Sequence, residues 1–268
     1  MAMTFALLPS RALILVSGPD WRGFLQGLIT QDVETLAAGE VRFAALLTPQ
    51  GRLLHDMFLA GRDDGVWLDV AAAAREAIIQ RLSIYRLRAK VEIAPDLTPA
   101  AVLFGDVATA PPPGWWPDPR LPALGWRGYG AEAPDAQPAA EADHDAWRLS
   151  LGVPGPADWG SETTYPIEAD FDLLAGIDFK KGCFIGQETT SRMKRRGQIK
   201  TRMLPIRFQG APPPHGAEVL AGPLRAGQVL SGRDGAAMAL LRLDRIEGAD
   251  LTVDGRPVEA VRPRWMEA

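Results

Sequence analysis

Cysteine is nearly absent from this chain of 268 residues, in which Cys183 is the only one. A lone thiol cannot close an internal disulfide, which excludes the disulfide-stapled domains typical of secreted proteins. The stretch MAMTFALLPSRALILVSG also lacks a long apolar run, because Pro9, Ser10 and Arg11 interrupt it, and it predicts neither a signal peptide nor a membrane span. From these absences we expect a cytoplasmic protein that does not associate with membranes.

Metal ligands are equally scarce. The three histidines, at positions 55, 144 and 215, are not spaced like a ligand pair, and an iron–sulfur cluster normally needs about four thiolates or a similar number of mixed ligands. We therefore expect no metal held by this chain alone, although Cys183 could be one ligand of a cluster that a partner chain or small thiols complete. The sequence also lacks a phosphate-binding glycine loop, a zinc motif and a Ser-His-Asp order.

Basic charge is not in excess, because the chain has 29 Lys and Arg residues against 33 Asp and Glu residues, which gives a net charge of −4. Direct nucleic-acid binding is therefore not expected. Basic residues do cluster locally, at Lys194, Arg195, Arg196, Lys200 and Arg202. Such a cluster is typical of the last turn of a helix followed by a solvated strand face, or of a surface that binds an anionic partner.

The apolar residues that are present follow the periods of strands and helices. RALILVSG predicts a strand over 11–18, and three further strands are predicted within 41–70, joined by the turns TPQGR and GRDDG. Apolar spacing after Asp20 predicts one helix, for which Asp20 is the expected cap. The spacing of Ile78, Ile79 and Leu82 predicts another, for which Asp69 is the expected cap. The first third of the chain therefore reads as α+β.

Two changes in composition divide the rest. Eight of the 23 prolines fall between positions 111 and 138, which predicts irregular chain over a small middle domain, with Trp115, Trp116 and Trp126 packed on it. After Gly210, short apolar runs alternate with Gly or Asp turns at intervals of roughly ten residues, the pattern of a small antiparallel barrel.

Cys183 lies in the stretch KGCFIGQE, residues 181–188. Gly182 and Gly186 predict a tight turn, a short extended piece and a helix that opens near Gly186, with Gln187 and Glu188 in its first turn. A thiol just before a helix, beside Lys180 and Lys181, lies in positive potential that favours the thiolate. This position favours a reactive thiol over a buried, merely space-filling cysteine.

Other candidate site residues carry weaker signals. Neighbours on a strand point to opposite faces, so the pair His55-Asp56 predicts a role for Asp56 alone. Trp147 and Arg148 could stack on and pin a planar anionic ligand, or Trp147 could belong to the core. Arg192 lies one helical turn after Glu188 and is a further candidate.

The stretch KGCFIGQE resembles the motif of the YgfZ branch of the folate-binding glycine-cleavage T-protein superfamily, whose members have a GcvT-like aminomethyltransferase fold. GPDWRGFLQGLITQDVETL at 18–36, LLTPQGRLLHDMFL at 46–59 and WRLSLGVP at 147–154 are also similar to that superfamily. The resemblance implies an α+β fold of three modules around a central opening that binds tetrahydrofolate, ending in a β-barrel. We place a folate-binding domain at 1–95 plus 145–200, a small middle α+β segment at 96–144 and the barrel at 201–268.

The resemblance also implies a function. Proteins of this branch support the assembly or repair of iron–sulfur clusters in client enzymes, including tRNA-modifying ones, through the motif cysteine. That residue is Cys183 here, and the loop around it is shaped by Lys181, Gly182, Gly186, Gln187 and Glu188. Tetrahydrofolate is the expected cofactor, with Asp56, Trp147, Arg148 and Arg192 as candidate contacts. The expected partners are iron–sulfur client or assembly proteins.

Departures from the true aminomethyltransferases argue against aminomethyl transfer. Those enzymes clamp the pterin with a glutamate where this chain has Ser150, they have an acidic pair where it has His55-Asp56, and their motif lacks the cysteine. A serine can form a hydrogen bond but cannot pair as an anion. The alternative reading is a folate-dependent one-carbon transferase that uses Asp56 as acid and base.

Overall fold

The computed structural model describes residues 3–106, 110–133, 135–195, 197 and 199–267. Its α-helices are α1 Trp21–Gln26, α2 Arg75–Arg86, α3 Glu141–Ser150, α4 Gln187–Arg195 and α5 Leu243–Ile246. Its strands are β1 Met3–Leu7, β2 Arg11–Ser17, β3 Val41–Leu47, β4 Leu53–Gly61, β5 Gly65–Ala71, β6 Glu92–Asp96, β7 Ala100–Gly105, β8 Trp115–Pro117, β9 Trp126–Tyr129, β10 Gln137–Pro138, β11 Thr201–Arg207, β12 Glu218–Ala221, β13 Leu224–Arg233, β14 Ala236–Arg242, β15 Leu251–Val253 and β16 Arg256–Ala260.

The first sheet has the strand order β3-β4-β5-β2-β6, and its strands pair antiparallel. The predicted meander is thus present as β3 to β5. Helices α1 and α2 pack on one face, where Leu25, Ile78 and Leu82 are completely buried. The opposite face carries Phe43 and Phe58 and packs toward the middle of the molecule, where Phe43 stacks on Phe171 with ring centroids 4.6 Å apart.

A register shift in the first sheet determines which residues face the centre. Leu46 pairs with His55 but Leu47 pairs with Leu53, so Leu54 is an extra residue in β4. A bulge of this kind changes the phase of the side-chain alternation. As a result, Leu54 packs with the helices on one face, whereas Asp56 reaches the central cavity on the other.

The second sheet has the order β10-β1-β7-β9-β8. Its first strand comes from the N-terminus, since Phe5 in β1 pairs with Leu103 in β7 and with Pro138 in β10. The proline-rich stretch between 111 and 138 contributes β8, β9 and β10, each two to four residues long. Trp115 and Trp126 are buried in the apolar cluster of this sheet.

The C-terminal strands close into a barrel in the order β11-β14-β13-β12-β15-β16. The barrel interior is filled by small and β-branched side chains such as Val219, Ala239 and Val253, all completely buried. The predicted α+β class with an antiparallel C-terminal barrel is therefore confirmed.

Two local predictions are wrong. Asp69 does not cap a helix, because it lies inside β5 and is completely buried. Asp20 precedes α1 but makes no side-chain cap, and its carboxylate instead accepts a hydrogen bond from the Lys90 backbone N–H at 2.8 Å. Both carboxylates are used by partners distant in sequence, which a local pattern does not reveal. Among the described helices, none is long and apolar enough to cross a membrane.

Candidate functional site

Cys183 lies in the loop that precedes α4, and its side chain is exposed. The neighbouring Phe184 is buried and anchors the loop in the central apolar cluster. The backbone N–H of Ile185 donates to the carbonyl oxygen of Gly27 at 3.2 Å, and that of Asp178 donates to Thr30 at 2.9 Å. The loop therefore presents the thiol to solvent while its two sides are bound to the segment that follows α1.

Lys181 is the strongest anchor of this loop. Its Nζ donates to the backbone carbonyl oxygens of Gln26 at 2.8 Å, Ile29 at 2.8 Å and Gln31 at 2.9 Å. An ammonium group has three N–H donors, so all of them are used. Burial lowers the pKa of Lys181 to about 8, while nearby carboxylates, Asp32 foremost, favour the charged form. At neutral pH the ammonium form therefore holds the loop and has no N–H left for the thiol.

Two glycines allow the loop to pack against the turn between β3 and β4. Gly186 has φ +82, and a Cβ there would lie 2.7 Å from the carbonyl oxygen of Thr48. Gly51 has φ +80, and a Cβ there would lie 3.0 Å from the carbonyl oxygen of Gly186. Gly182, by contrast, has open space around it. The motif loop and the turn TPQGR therefore form one packed unit that depends on Gly51 and Gly186.

Helix α4 continues directly from this loop. Gln187 and Glu188 lie in its first turn, as predicted, and Thr190 is buried and donates to the carbonyl oxygen of Gly186 at 3.1 Å. Glu188 and Arg192 are exposed. Lys194 pairs with Asp172 at 3.2 Å, and Arg196, part of the predicted basic cluster, lies outside the described residues.

The basic cluster does not form one surface. Arg202 is buried, and its guanidinium pairs with Asp170 at 2.7 Å and with Asp172 at 2.9 Å. This arginine therefore joins β11 to the segment before the motif loop and is not available to an anionic partner.

A separate central cavity of about 240 Å³ lies where the first sheet, the second sheet and α3 meet. Asp56 and Phe58 reach it from β4, Arg11 from β2, and Arg148 and His144 from α3. Asp56 pairs through Oδ2 with Arg11 at 2.9 Å, and Arg148 pairs with Asp158 at 3.2 Å. Of the residues predicted to contact a cofactor, the structure brings Asp56 and Arg148 together here.

Trp147 and Arg192 lie elsewhere. The Trp147 indole N–H donates to the carbonyl oxygen of Ala123 at 2.9 Å, and its ring lies beside Phe104. Neither residue lines the central cavity. Ser150, at the end of α3, is exposed and donates to the carbonyl oxygen of Trp147 at 2.6 Å.

A buried ion network forms the wall of the central cavity. Asp69 accepts from Arg11 at 2.6 Å, from Arg127 at 2.6 Å and from the Tyr129 hydroxyl at 3.1 Å. Burial alone would raise the pKa of Asp69, but the two guanidinium groups hold it below its usual value. Asp118 pairs in the same way with Arg120 through two hydrogen bonds, at 2.9 and 2.7 Å. The wall thus balances its arginines with buried carboxylates.

His144 is a further cavity residue that the sequence did not single out. It is 6% exposed, lies edge-on to Phe104 at 5.5 Å, and its Nε2 has no hydrogen-bond partner among the described residues. Burial, together with the guanidinium groups of Arg120 and Arg127, lowers the pKa of His144 to about 3. The imidazole is therefore neutral at physiological pH and offers an unused ring nitrogen. Neither its spacing nor its neighbours in the sequence signal this position.

Within the described part of the chain, no group of three or more His, Cys, Asp or Glu side chains could hold a metal ion. Cys183 is thus an exposed thiol that belongs to no such group among the described residues.

The fold defines the class of protein. The structure is similar to the glycine cleavage system aminomethyltransferase T from Bartonella henselae, with a TM-score of 0.78 over 98% of this chain and 86% of that one. At 17% sequence identity, this likeness establishes the fold alone. Residues 200–268 match a family model described as CAF17, C-terminal beta-barrel domain.

Sequence relatives identify the family. The chain is 32% identical, over 308 residues, to the iron–sulfur cluster assembly factor IBA57 homolog of Pyricularia oryzae, with 96% of this chain and 76% of the relative covered. It is 31% identical to IBA57 of Homo sapiens over 277 residues, covering 90% and 78%. It spans about half, 54%, of the Neurospora crassa homolog, to which it is 32% identical over 240 residues and 77% of its own length. The chain belongs to the IBA57 family of iron–sulfur cluster assembly factors.

These relatives correct one prediction. All three are named as mitochondrial proteins, so the expectation of a cytoplasmic location is wrong. The expectation rested on the cysteine count and on the lack of a long apolar run near the start of the sequence, and neither feature distinguishes the cytosol from other compartments. The expected superfamily is confirmed, while assignment to the YgfZ branch and the significance of its motif stay predictions.

Proposed function

We propose that this chain supports the assembly or repair of iron–sulfur clusters in client enzymes, including tRNA-modifying ones, and that Cys183 is the ligand it contributes. The relatives named as iron–sulfur cluster assembly factors support this proposal. The observation that carries it is the exposed thiol of Cys183 on an anchored loop. A loop held on both sides presents the sulfur at a defined place without burying it.

The cluster is cargo in this proposal and is shared between molecules. A cluster needs about four ligands, and the described residues contain no group of three or more His, Cys, Asp or Glu side chains that could hold a metal. The remaining ligands must come from a client or assembly protein or from small thiols. Cys183 binds as the thiolate, so its proton is released when the cluster is bound. Release to the client follows when the client's own thiolates replace this single sulfur.

Tetrahydrofolate is the cofactor that we propose for the central cavity. The donor set suits a pterin in part: Asp56 Oδ2 is held by Arg11, which leaves Oδ1 for the guanidine-like edge. Arg148 also lines the cavity, but its guanidinium is already bound to Asp158 and to the Val153 carbonyl oxygen. The volume of about 240 Å³ is below the ~300–1,000 Å³ typical of pockets that enclose a whole ligand. We therefore expect only the pterin end to enter. When bound, the cofactor would supply a carrier for one-carbon groups.

The test is anaerobic reconstitution of the 268-residue chain with ferric iron, sulfide and glutathione. Ferric iron supplies the oxidation level that the cluster needs, and glutathione is both the accessory thiol and the reductant for part of the iron. Visible absorption and bound iron and sulfide report cluster formation. We expect a cluster on the wild type and on the control Gly182→Ala, whose substitution meets no neighbouring atom, and none on Cys183→Ser. An equal amount of cluster on Cys183→Ser would refute the role of the thiol.

The alternative is a folate-dependent one-carbon transferase, which the fold likeness and the position of Asp56 in the cavity favour. Its signature is turnover of an aminomethylated carrier that is lost in Asp56→Asn and retained in Cys183→Ser. The opposite pattern, with no turnover in the wild type and loss of cluster binding in Cys183→Ser, separates the two functions.

A further inference from the structure

A second cavity, of about 700 Å³, lies outside the site described above, between the end of α3 and the C-terminal barrel. Leu121, Leu151, Val261 and Pro263 give it an apolar lining, and the half-buried ring of Trp265 lies among them. The Trp265 indole N–H donates to the carbonyl oxygen of Leu151 at 2.8 Å. This hydrogen bond fixes the ring, which packs against the buried cluster of Leu124, Val153 and Leu174 and also lines the cavity.

Part of the cavity wall is rigid. Gly152 has φ +71, and a Cβ there would lie 2.5 Å from Pro263 and 3.0 Å from Pro205. Two proline rings therefore pack directly against the backbone that follows α3. Each proline ring fixes its own φ, and both rings pack directly against Gly152, so this part of the wall needs little ordering when a ligand binds.

The charged residues that line this cavity are all basic. Arg207, Arg262 and Arg264 line it, and no Asp or Glu is among its lining residues. Within the described part of the chain, none of these three arginines forms an ion pair or a side-chain hydrogen bond. The central cavity differs, because there Arg11, Arg120 and Arg127 are each paired with a buried aspartate. The three guanidinium groups are exposed, and no carboxylate that lines the cavity cancels their charge, so an anion that enters the cavity meets a positive potential.

We propose that this cavity binds an amphipathic organic anion. The apolar body would lie against Trp265 and the leucine and proline side chains, and a carboxylate, sulfonate or phosphate group would face the arginines. Guanidinium groups pair with such anions through two parallel hydrogen bonds and also stack on flat apolar groups. The volume lies within the ~300–1,000 Å³ typical of small-molecule sites, which combine an apolar lining with a few charged groups.

The probe for this site is 8-anilinonaphthalene-1-sulfonate, an aromatic sulfonate whose fluorescence rises in apolar surroundings. It is titrated into the wild-type chain of 268 residues, into Arg262→Glu/Arg264→Glu and into the control Arg86→Glu/Arg88→Glu. The control changes the net charge by the same amount at exposed arginines that line a different depression of the surface. Thermal unfolding establishes that both variants are folded. Because Cys183 takes no part, the outcome is independent of the proposed cluster function.

We expect saturable binding to the wild type, at least tenfold weaker binding to Arg262→Glu/Arg264→Glu, and a change of less than twofold in the control. A second variant, Trp265→Leu, keeps the arginines and removes the aromatic ring, and it should also weaken binding. The proposal is overturned if the probe binds all variants equally or if the control is the one that loses binding. Displacement by inorganic phosphate at concentrations comparable to those of the probe would also overturn it, because a bare anion would then suffice.

Discussion

Exchanging Lys181 for methionine removes the ammonium group that joins the cysteine loop to the segment after α1, while the apolar stem remains. Three hydrogen bonds to carbonyl oxygens are lost, at 2.8, 2.8 and 2.9 Å. A hydrogen bond to a charged group contributes about 1.5–3 kcal/mol. The three share one half-buried donor whose burial opposes them, so their contributions do not add. We expect Lys181→Met to lower the free energy of unfolding by about 2–4 kcal/mol.

The neighbouring lysine provides a matched control. Lys180→Met changes the charge equally, but the described contacts of Lys180 are made by its backbone N–H, which donates to Asp178 at 2.7 Å and is retained. Urea unfolding measures stability, and amide hydrogen exchange over residues 178–186 measures how often the loop opens. Cluster formation on Cys183 should decrease in Lys181→Met and stay at the wild-type level in Lys180→Met.

Two results would contradict this reasoning. If both variants alter the reactivity of the Cys183 thiol equally, the lysines act through their positive potential rather than through a specific anchor. If Lys181→Met unfolds at the wild-type urea concentration with unchanged exchange in the loop, the three carbonyl contacts contribute nothing measurable.

Three further predictions concern His144, Gly186 and Asp69. The pKa of His144 in the folded chain, about 3, lies below its usual 6.5, so below pH 6.5 the unfolded chain binds a proton that the folded chain does not. The stability of the wild type relative to His144→Phe should therefore fall by about 1.4 kcal/mol per pH unit from pH 6.5 toward 4 in urea titrations, and parallel pH profiles would contradict this. Gly186→Ala should lower the free energy of unfolding by about 2–4 kcal/mol, because positive φ and the Thr48 carbonyl both oppose a Cβ. The control Gly182→Ala should change it by less than about 0.5 kcal/mol. Equal losses in the two variants would show that the packing around Gly186 does not limit stability. Asp69→Asn should lower the free energy of unfolding by about 3–5 kcal/mol, because two buried guanidinium groups lose their counter-ion. A decrease of less than about 1 kcal/mol would mean that the ion network rearranges without penalty.

Local patterns predicted those parts of the fold that depend on neighbours in sequence. The meander β3 to β5 and the barrel strands follow from alternation and turn residues, and α4 follows from its charge distribution and from Gly186. The loop around Cys183 could be outlined for the same reason. Its anchors could not, because Lys181 bonds to residues about 150 positions earlier.

The wall of the central cavity was hidden from the sequence for a related reason. Arg11 and Arg127 meet at Asp69, each 58 residues away from it along the chain. An aspartate after a strand-like run also matches a helix cap, so the local pattern favoured the wrong role. The sequence singled out Asp56 because neighbours on a strand point to opposite faces, which separates it from His55. The bulge at Leu54 turns Asp56 toward the cavity, and this bulge leaves no clear mark in the sequence.

The position of β1 has a consequence for synthesis of the chain. β1 is synthesised well before its partners β7 and β10, which follow about a hundred residues later, since Phe5 pairs with Leu103 and Pro138. At translation rates of ~5–20 residues per second, this apolar strand waits roughly 5–20 seconds before it can pair. Meanwhile β2 to β6 can already form their own sheet beside it. We expect the nascent chain to depend on chaperones during this interval, when an unpaired strand edge is most exposed to wrong partners.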